Sequence, residues 1–329
     1  MRVAVLGGGA WGGVLAGLVA GRGHEVTLWE ADGPAAELLE RRRSNARSVP
    51  GFRLPDAIAV STDLPAVVAG RQIVVVAVPS QFVRASLRAV ASAIADRPIV
   101  VCASKGLEPG TGSTMAEVIT AAVPGARAVV LSGPSFAQEI AAGLPAALVA
   151  ASTDAGAATS VQSCFGGERL RIYTSDDVAG VCVGGALKNV IAIAVGCCDG
   201  FGLGESARAA LITRGLAEMG RLAVRLGGQA LTLSGLAGLG DLVLTCTGDL
   251  SRNRQVGLAL ARGESLPEVL ARLGHIAEGV GTALTARDVA RRLHVEMPIT
   301  GEVAATLHEG KPARDALNDL LARDVRPER

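Results

Sequence analysis

The sequence predicts an α/β protein in two parts: a doubly wound, mostly parallel sheet over residues 1–178, then an all-helical domain over residues 179–329. Three observations predict it. Short apolar β-type runs alternate with helical stretches through the first half, the pattern of a parallel sheet covered on both faces. A glycine-rich turn joins the first strand to the first helix. After about Ser175 the β-rich runs nearly vanish and helical periodicity takes over. At 329 residues the chain is roughly twice the usual single-domain size, so two cores are expected.

Taken in order, Val3–Leu6, Glu25–Trp29, Ile73–Val78, Ile99–Ala103, Ala128–Leu131, Ala146–Ala150 and Leu170–Tyr173 read as strands. Gly12–Ala20 and Phe82–Ala95 have helix-like composition and supply crossovers between them. The uncharged stretch Val3–Ala20 superficially resembles a signal peptide or membrane span. Its six glycines instead divide it into a short strand, a turn and a helix start. In the second half, helices are expected at Val183–Val195, Ser206–Leu226, Arg254–Ala261, Leu266–Leu273, Ala283–Leu293, Ile299–His308 and Ala313–Leu321. No Ser- or Pro-rich linker separates the halves, so a substantial interface between them is expected.

Composition narrows the partners. A net charge of +1, from 32 Lys and Arg against 31 Asp and Glu, gives no electrostatic case for nucleic acid or an anionic membrane. Aromatics at 2% leave few platforms for stacking bases, so a small molecule is the expected partner. The six cysteines show no C-x-x-C spacing and no histidine cluster nearby, which indicates neither a metal site nor a disulfide framework. Reduced thiols in a cytoplasmic protein fit best.

Gly7, Gly9 and Gly12 satisfy G-x-G-x-x-G between strand and helix, where glycine permits a tight turn and a close approach of main-chain N–H groups to a pyrophosphate. Glu30 ends the next strand, 18 positions after Gly12. A carboxylate there accepts from a ribose diol and repels a 2′-phosphate, which favours NAD over NADP. Arg41, Arg42 and Arg43 follow closely and could clamp such a phosphate, or form an ordinary solvated helix face.

Lys188 is the most conspicuous charge. It lies in the run Val181–Cys198, whose only other strongly polar member is Asn189. An unpaired buried ammonium costs several kcal/mol or forces its pKa down by up to about 3 to 5 units. Asp241, set between glycines and a Leu/Val run, needs a cationic or hydrogen-bonding partner in turn, and Lys188 is the natural one. Lys105 and the segment Ser132–Ala137 each follow an apolar strand, where ligands bind at the carboxyl edge of open sheets. Ser251, Arg252 and Asn253 read as a capped helix start suited to a phosphate or carboxylate, or as a plain capped surface helix.

Together the segments GGGAWGG, HEVTLW, VVVAVPSQ, ASKGLE, LSGPSFAQEIAAGLPAALVAAS, GGALKNVIAIAVG, DGFGLGESARAALITRGLAEM, GLAGLGDLVLTCT, SRNR and EMPIT closely resemble the bacterial NAD(P)-dependent glycerol-3-phosphate dehydrogenase family. The resemblance implies a Rossmann domain and a helical domain. It also implies interconversion of dihydroxyacetone phosphate and sn-glycerol 3-phosphate with a nicotinamide cofactor, feeding glycerophospholipid synthesis, in a protein expected to be a homodimer. It assigns catalysis to Lys188 with Asn189, Lys105, Asp241 and Thr245. Substrate would meet Lys105, Gly133, Ser135, Lys188, Asp241, Ser251, Arg252 and Asn253. Cofactor would meet Gly7, Gly9, Ala10, Trp11, Gly12, Glu30, Lys105, Ala137, Arg252, Ile276 and Glu278.

Three positions depart from the family pattern. Ala10 stands where serine is usual, which removes one hydroxyl from the glycine loop. Trp29-Glu30-Ala31 replaces the W-x-R or W-x-H that suits NADP, and Ser206 replaces an asparagine. The expected role of Lys188 is proton exchange at C2. In the oxidation direction a pKa lowered by burial would help it accept the C2 hydroxyl proton and one raised by Asp241 would hinder it, and the sequence does not decide between them. Related β-hydroxyacid or ketopantoate-type dehydrogenases share the two-part plan, and the SRNR phosphate site distinguishes them. A non-catalytic nucleotide sensor would leave the two lysines and the aspartate unexplained.

Overall fold

The computed structural model describes residues 1–44, 49–94, 97–274 and 276–324. Its sheet has eight strands: β1 Arg2–Leu6, β2 Glu25–Trp29, β3 Ala59–Ser61, β4 Ile73–Val76, β5 Ile99–Cys102, β6 Arg127–Ser132, β7 Ala146–Ala151 and β8 Leu170–Ser175. They lie in the order β3-β2-β1-β4-β5-β6-β7-β8, and every pairing is parallel except β6 with β7. The order reverses between β1 and β4, which opens a crevice at the carboxyl ends of those strands, beside the glycine turn. Strands β4 and β5 are buried along their whole length, and this is why they read as unbroken apolar runs dominated by Ile and Val. Separate apolar clusters cover the two faces, one with Leu15, Leu28 and Phe165, the other with Leu64, Leu87 and Ile119.

All seven expected strands form. Strand β3 was not expected, because its three residues sit at the sheet edge with exposed or half-buried side chains and leave no apolar run. The first helix spans Ala10–Gly21, so Val3–Ala20 does divide into strand, turn and helix. The expected helix over Phe82–Ala95 is shorter. A 3-10 turn at Ser80–Phe82 leads into a helix at Val83–Arg88, and turns follow; Ala95 lies outside the described residues.

The second part is helical and is organised around one long helix, Val178–Gly200. By length and composition that helix could cross a membrane, but 83% of its most apolar window is buried inside the protein. Helices Glu205–Arg225, Asp241–Thr247, Arg252–Ala261, Leu266–Leu273, Glu278–Arg292, Pro298–His308 and Ala313–Leu321 complete this part, and Leu187, Val190, Ile191 and Val195 of the long helix join its core. The helix at Asp241–Thr247 was not among those expected. It is only seven residues long and grows directly out of a π-helical turn at Leu236–Gly240, so it shows no full apolar period in the sequence. Leu107 crosses between the parts: it follows β5 yet is buried in the helical core.

Candidate active site

Lys188, Lys105, Asp241 and Thr245 meet between the sheet and the helical part. Lys188 Nζ lies 2.5 Å from Asp241 Oδ1 and donates to Thr245 Oγ1 at 2.9 Å. Lys105 Nζ lies 2.6 Å from Asp241 Oδ2 and donates to the Gly133 carbonyl at 3.0 Å. Thr245, one turn beyond Asp241, donates its hydroxyl proton back to the Asp241 main-chain carbonyl at 2.6 Å. One carboxylate therefore holds two ammonium groups, one on each oxygen. Lys188 was the partner expected for Asp241; the second arm, Lys105, was not.

Asp241 is completely buried, and Lys188 retains 8% exposure. Burial pulls the Lys188 ammonium down, and the nearby charge of Lys105 adds to this; the attraction of Asp241 opposes both, and the balance lies at about 8. Burial pushes the Asp241 carboxyl up, but Lys105 and Lys188 together outweigh it and hold the group below its ordinary range. Asp241 is thus a fixed anion, and Lys188 is an amine that can gain or lose its proton near neutral pH.

Close backbone packing sets this geometry. Where the long helix passes the π-helical turn, a Cβ on Gly184 would lie 2.3 Å from the Ala237 carbonyl oxygen, so only glycine allows the approach. The Lys105 loop is anchored at two points. Leu107 is sunk in the helical core, and Arg84 forks onto Glu108 with contacts of 2.5 and 2.7 Å. Ser135 Oγ donates to the same Gly133 carbonyl as Lys105, at 3.0 Å.

A second group stands at the start of helix Arg252–Ala261. Ser251 caps it by accepting from the Arg254 N–H at 3.2 Å. The Asn253 side chain is already engaged: Nδ2 donates to Asn189 Oδ1 at 2.9 Å, and Oδ1 accepts from the Gly279 N–H at 3.0 Å. Arg252 is exposed, and none of the described residues hydrogen-bonds or ion-pairs with its side chain. Its charge acts on Glu278, which is only partly accessible and whose carboxyl is raised by burial against the pull of Arg252. Asn189 and Asn253 therefore brace the site, while Arg252 is the group left open to an anion.

Family models for the N-terminus and the C-terminus of NAD-dependent glycerol-3-phosphate dehydrogenase match residues 2–158 and 177–318. This chain belongs to that family. It is 50% identical over 330 residues to glycerol-3-phosphate dehydrogenase [NAD(P)+] of Thiobacillus denitrificans, covering all of both chains. It is 48% identical over 331 residues to the Geobacter sulfurreducens enzyme of the same name, covering 100% of this chain and 99% of that one. The crystal structure of glycerol-3-phosphate dehydrogenase from Coxiella burnetii superposes with a TM-score of 0.95 at 38% identity, covering 98% of this chain and 99% of that one.

In this member of the dehydrogenase family the glycine loop suits a dinucleotide. A Cβ on Gly12 would lie 1.9 Å from the Gly7 carbonyl oxygen, whereas a Cβ on Gly9 would meet nothing within 4 Å and so marks open space at the helix N-terminus. Trp11 Nε1 is buried without a hydrogen-bond partner among the described residues, a donor available to a ligand in that loop. Glu30 accepts from the Gly8 N–H at 3.0 Å and the Asp32 N–H at 3.1 Å, which joins the strand-end carboxylate to the loop. Arg43 is turned onto the Ile58 carbonyl at 2.7 Å, and Arg41 pairs with Glu37 in solvent. Ala10 opens the first helix, and Ala137 opens another at Ala137–Ala141; both pack against the same sheet-face cluster as Trp11. Ile276 is 40% exposed.

Sequence reasoning missed Leu107, the Arg84–Glu108 fork and Ser80, whose N–H points at Glu278 from 3.4 Å. Glu108 lies within the quoted ASKGLE segment, so its charge was visible there. Its partner, 24 residues away, was not.

Proposed function

We propose that this chain reversibly reduces dihydroxyacetone phosphate to sn-glycerol 3-phosphate with NAD(P)H, with Lys188 as the proton donor and, in reverse, the acceptor. The observation that carries the reading is the buried Lys188–Asp241–Lys105 arrangement. It sets a titratable amine and a second positive charge at one point between a dinucleotide loop and an open arginine. The nicotinamide, when bound, supplies or takes the hydride at C2. Lys188 gives its proton to the C2 oxygen in reduction and removes it in oxidation, a contribution of about 10²- to 10⁴-fold for a well-placed acid or base. Lys105 adds positive potential beside that oxygen, Thr245 holds Lys188 in line, and Asp241 keeps both ammonium groups in register. The two ammonium groups supply the charge stabilisation, so the reaction is read as needing no metal.

Gly133, Ser135 and Ser251 line the substrate, and Arg252 binds its phosphate, with Asn253 and Asn189 fixing the helix start that carries it. Gly7, Gly9, Ala10, Trp11, Gly12, Glu30, Ala137, Arg252, Ile276 and Glu278 are assigned to the cofactor side. Engagement of Glu30 with the loop, together with Arg43 turned away, supports NAD over NADP. We place the domain boundary at 178/179, one residue into the long helix Val178–Gly200. The product is the backbone acylated in glycerophospholipid synthesis, and we place the enzyme there, in the cytoplasm. Pairing with a second copy of the chain is proposed on the family resemblance alone.

The decisive measurement is NADH and NADPH oxidation followed by absorbance with dihydroxyacetone phosphate. Consumption of neither cofactor overturns the reading. Arg252→Ala should raise KM for the phosphorylated substrate by about 10- to 100-fold, the loss of one or more charge-assisted hydrogen bonds, with a smaller change in kcat. An unchanged KM removes Arg252 from the site.

A further inference from the structure

Ser132 ends β6, one residue before the carbonyl that holds Lys105. Its hydroxyl is buried, with 1% exposure for the residue, and finds no hydrogen-bond partner among the described residues. Leaving a buried hydroxyl unpaired costs about 1 to 3 kcal/mol, and alanine would fit the strand without that cost. The hydroxyl stands where three elements converge. A Cβ placed on Gly185 of the long helix would be 2.8 Å from Ser132 Oγ and 3.6 Å from Lys105 Cγ. Ser104, Lys105, Gly106, Ser132, Cys182 and Gly185 border a cavity of about 10 Å³ at this point. A space of roughly 10 to 15 Å³ takes one water molecule when polar partners face it.

We propose that Ser132 is a positioning residue: its hydroxyl binds one internal water in this cavity, and the pair holds the Lys105 stem against Gly185 so that its ammonium stays on Asp241. The proposal rests on the reading that Lys105 and Lys188 form the active site. The groups that set the charge around Lys188 are Asp241, Lys105, Glu278 and Cys246. Lys105 is the one among them that the cavity borders. If its ammonium drifts, Lys188 feels less repulsion and keeps its proton to higher pH.

Three measurements test this. In a high-resolution crystal structure of the wild-type protein, one ordered water should hydrogen-bond to Ser132 Oγ, and a dry cavity overturns the proposal. In Ser132→Ala, the midpoint of the pH profile of glycerol phosphate oxidation should rise by on the order of half a unit, and its kcat near pH 8 should fall about twofold with the smaller neutral-amine fraction. Ser132→Gly leaves room for a second water where the hydroxyl was and should bring the midpoint back toward the wild-type value. An unshifted midpoint in a folded, active Ser132→Ala enzyme overturns the proposal even if its Tm rises, since a rise alone is what an idle buried hydroxyl would give. A wild-type protein with no turnover of dihydroxyacetone phosphate instead defeats the functional reading, and the crystallographic water is still checked independently.

Discussion

Asp241 and Glu218 are both buried carboxylates of the helical part, at 0% and 1% exposure, and they are held in opposite ways. Asp241 faces two ammonium groups and sits below its ordinary range. Glu218, on helix Glu205–Arg225, is hydrogen-bonded by neutral donors, the N–H of Ile299 at 2.6 Å, the N–H of Thr300 at 3.1 Å and the Thr300 hydroxyl at 3.0 Å, with the Arg221 charge a smaller influence. Burial raises the Glu218 carboxyl, against the pull of those donors. The Glu218 arrangement satisfies the first turn of helix Pro298–His308 and ends there, since main-chain donors have no proton to exchange near neutral pH. Around Asp241 the donors are themselves titratable, and one of them is poised near 8. The difference separates a carboxylate that ties a helix down from one that holds two ammonium groups, one of them with its pKa near 8.

The largest expected effect comes from removing the amine while keeping the packing. Lys188→Met should lower turnover by about 10²- to 10⁴-fold in a protein with unchanged circular dichroism, because Asp241 keeps Lys105 as its counter-charge. Near-normal turnover would make the Asp241 cluster as structural as that of Glu218. The reciprocal test is Glu218→Ala. It leaves two buried N–H groups and a hydroxyl without their acceptor and should cost about 2 to 4 kcal/mol of stability by denaturant titration. Its kcat/KM should remain within about twofold of wild type; a large kinetic loss in the folded variant would erase the contrast.

Next in size is the pH response. In the proposed mechanism oxidation of glycerol phosphate uses neutral Lys188 and reduction uses its ammonium, and an amine lowered to about 8 is neutral above that value. The oxidation rate should therefore climb as pH rises through about 8 and then level off. Reduction should decline over the same interval. Two profiles that run in the same direction would show that Lys188 is not the exchanging group. Glu218 lies on the other side of the comparison: its carboxyl is raised from an ordinary carboxylic value, so the stability it contributes is complete below about 4.5 and declines as pH rises through its folded value.

What could be read in the sequence follows the same division. The strands were legible because parallel strands buried on both faces are continuous Ile/Val runs, and the three-residue edge strand Ala59–Ser61 was not because it buries little. Lys188 and Asp241 were legible as charges in apolar surroundings, an anomaly that needs no partner to be noticed. Glu218 gave no such signal, since it lies in a helix rich in Arg and Glu whose amphipathic pattern looks solvated. Lys105 was visible as a strand-end lysine, but its arm to Asp241 spans 136 residues and depends on how two domains dock. Likewise the SRNR segment read either as an anion site or as a plain capped surface helix, while only the structure shows Asn253 engaged with Asn189 and Gly279 and Arg252 left open.

A third carboxylate tests whether the division between structural and functional anions is complete. Glu30 is held like Glu218, by the N–H groups of Gly8 and Asp32, yet it stands at the end of β2, where a ribose is expected to bind. If the same atoms serve both purposes, Glu30→Ala should produce two modest effects together. Loss of two partly solvated hydrogen bonds should lower stability by about 1 kcal/mol. Loss of the negative charge should raise the NADPH-to-NADH ratio of kcat/KM by about five- to tenfold, since repulsion between a solvated carboxylate and a 2′-phosphate is worth on the order of 1 kcal/mol. A stability loss with an unchanged cofactor ratio would place Glu30 beside Glu218, as a brace for the glycine loop. A changed ratio would show a carboxylate held by neutral main-chain donors that still selects a ligand, because its charge, unlike that of Glu218, faces a site open to solvent.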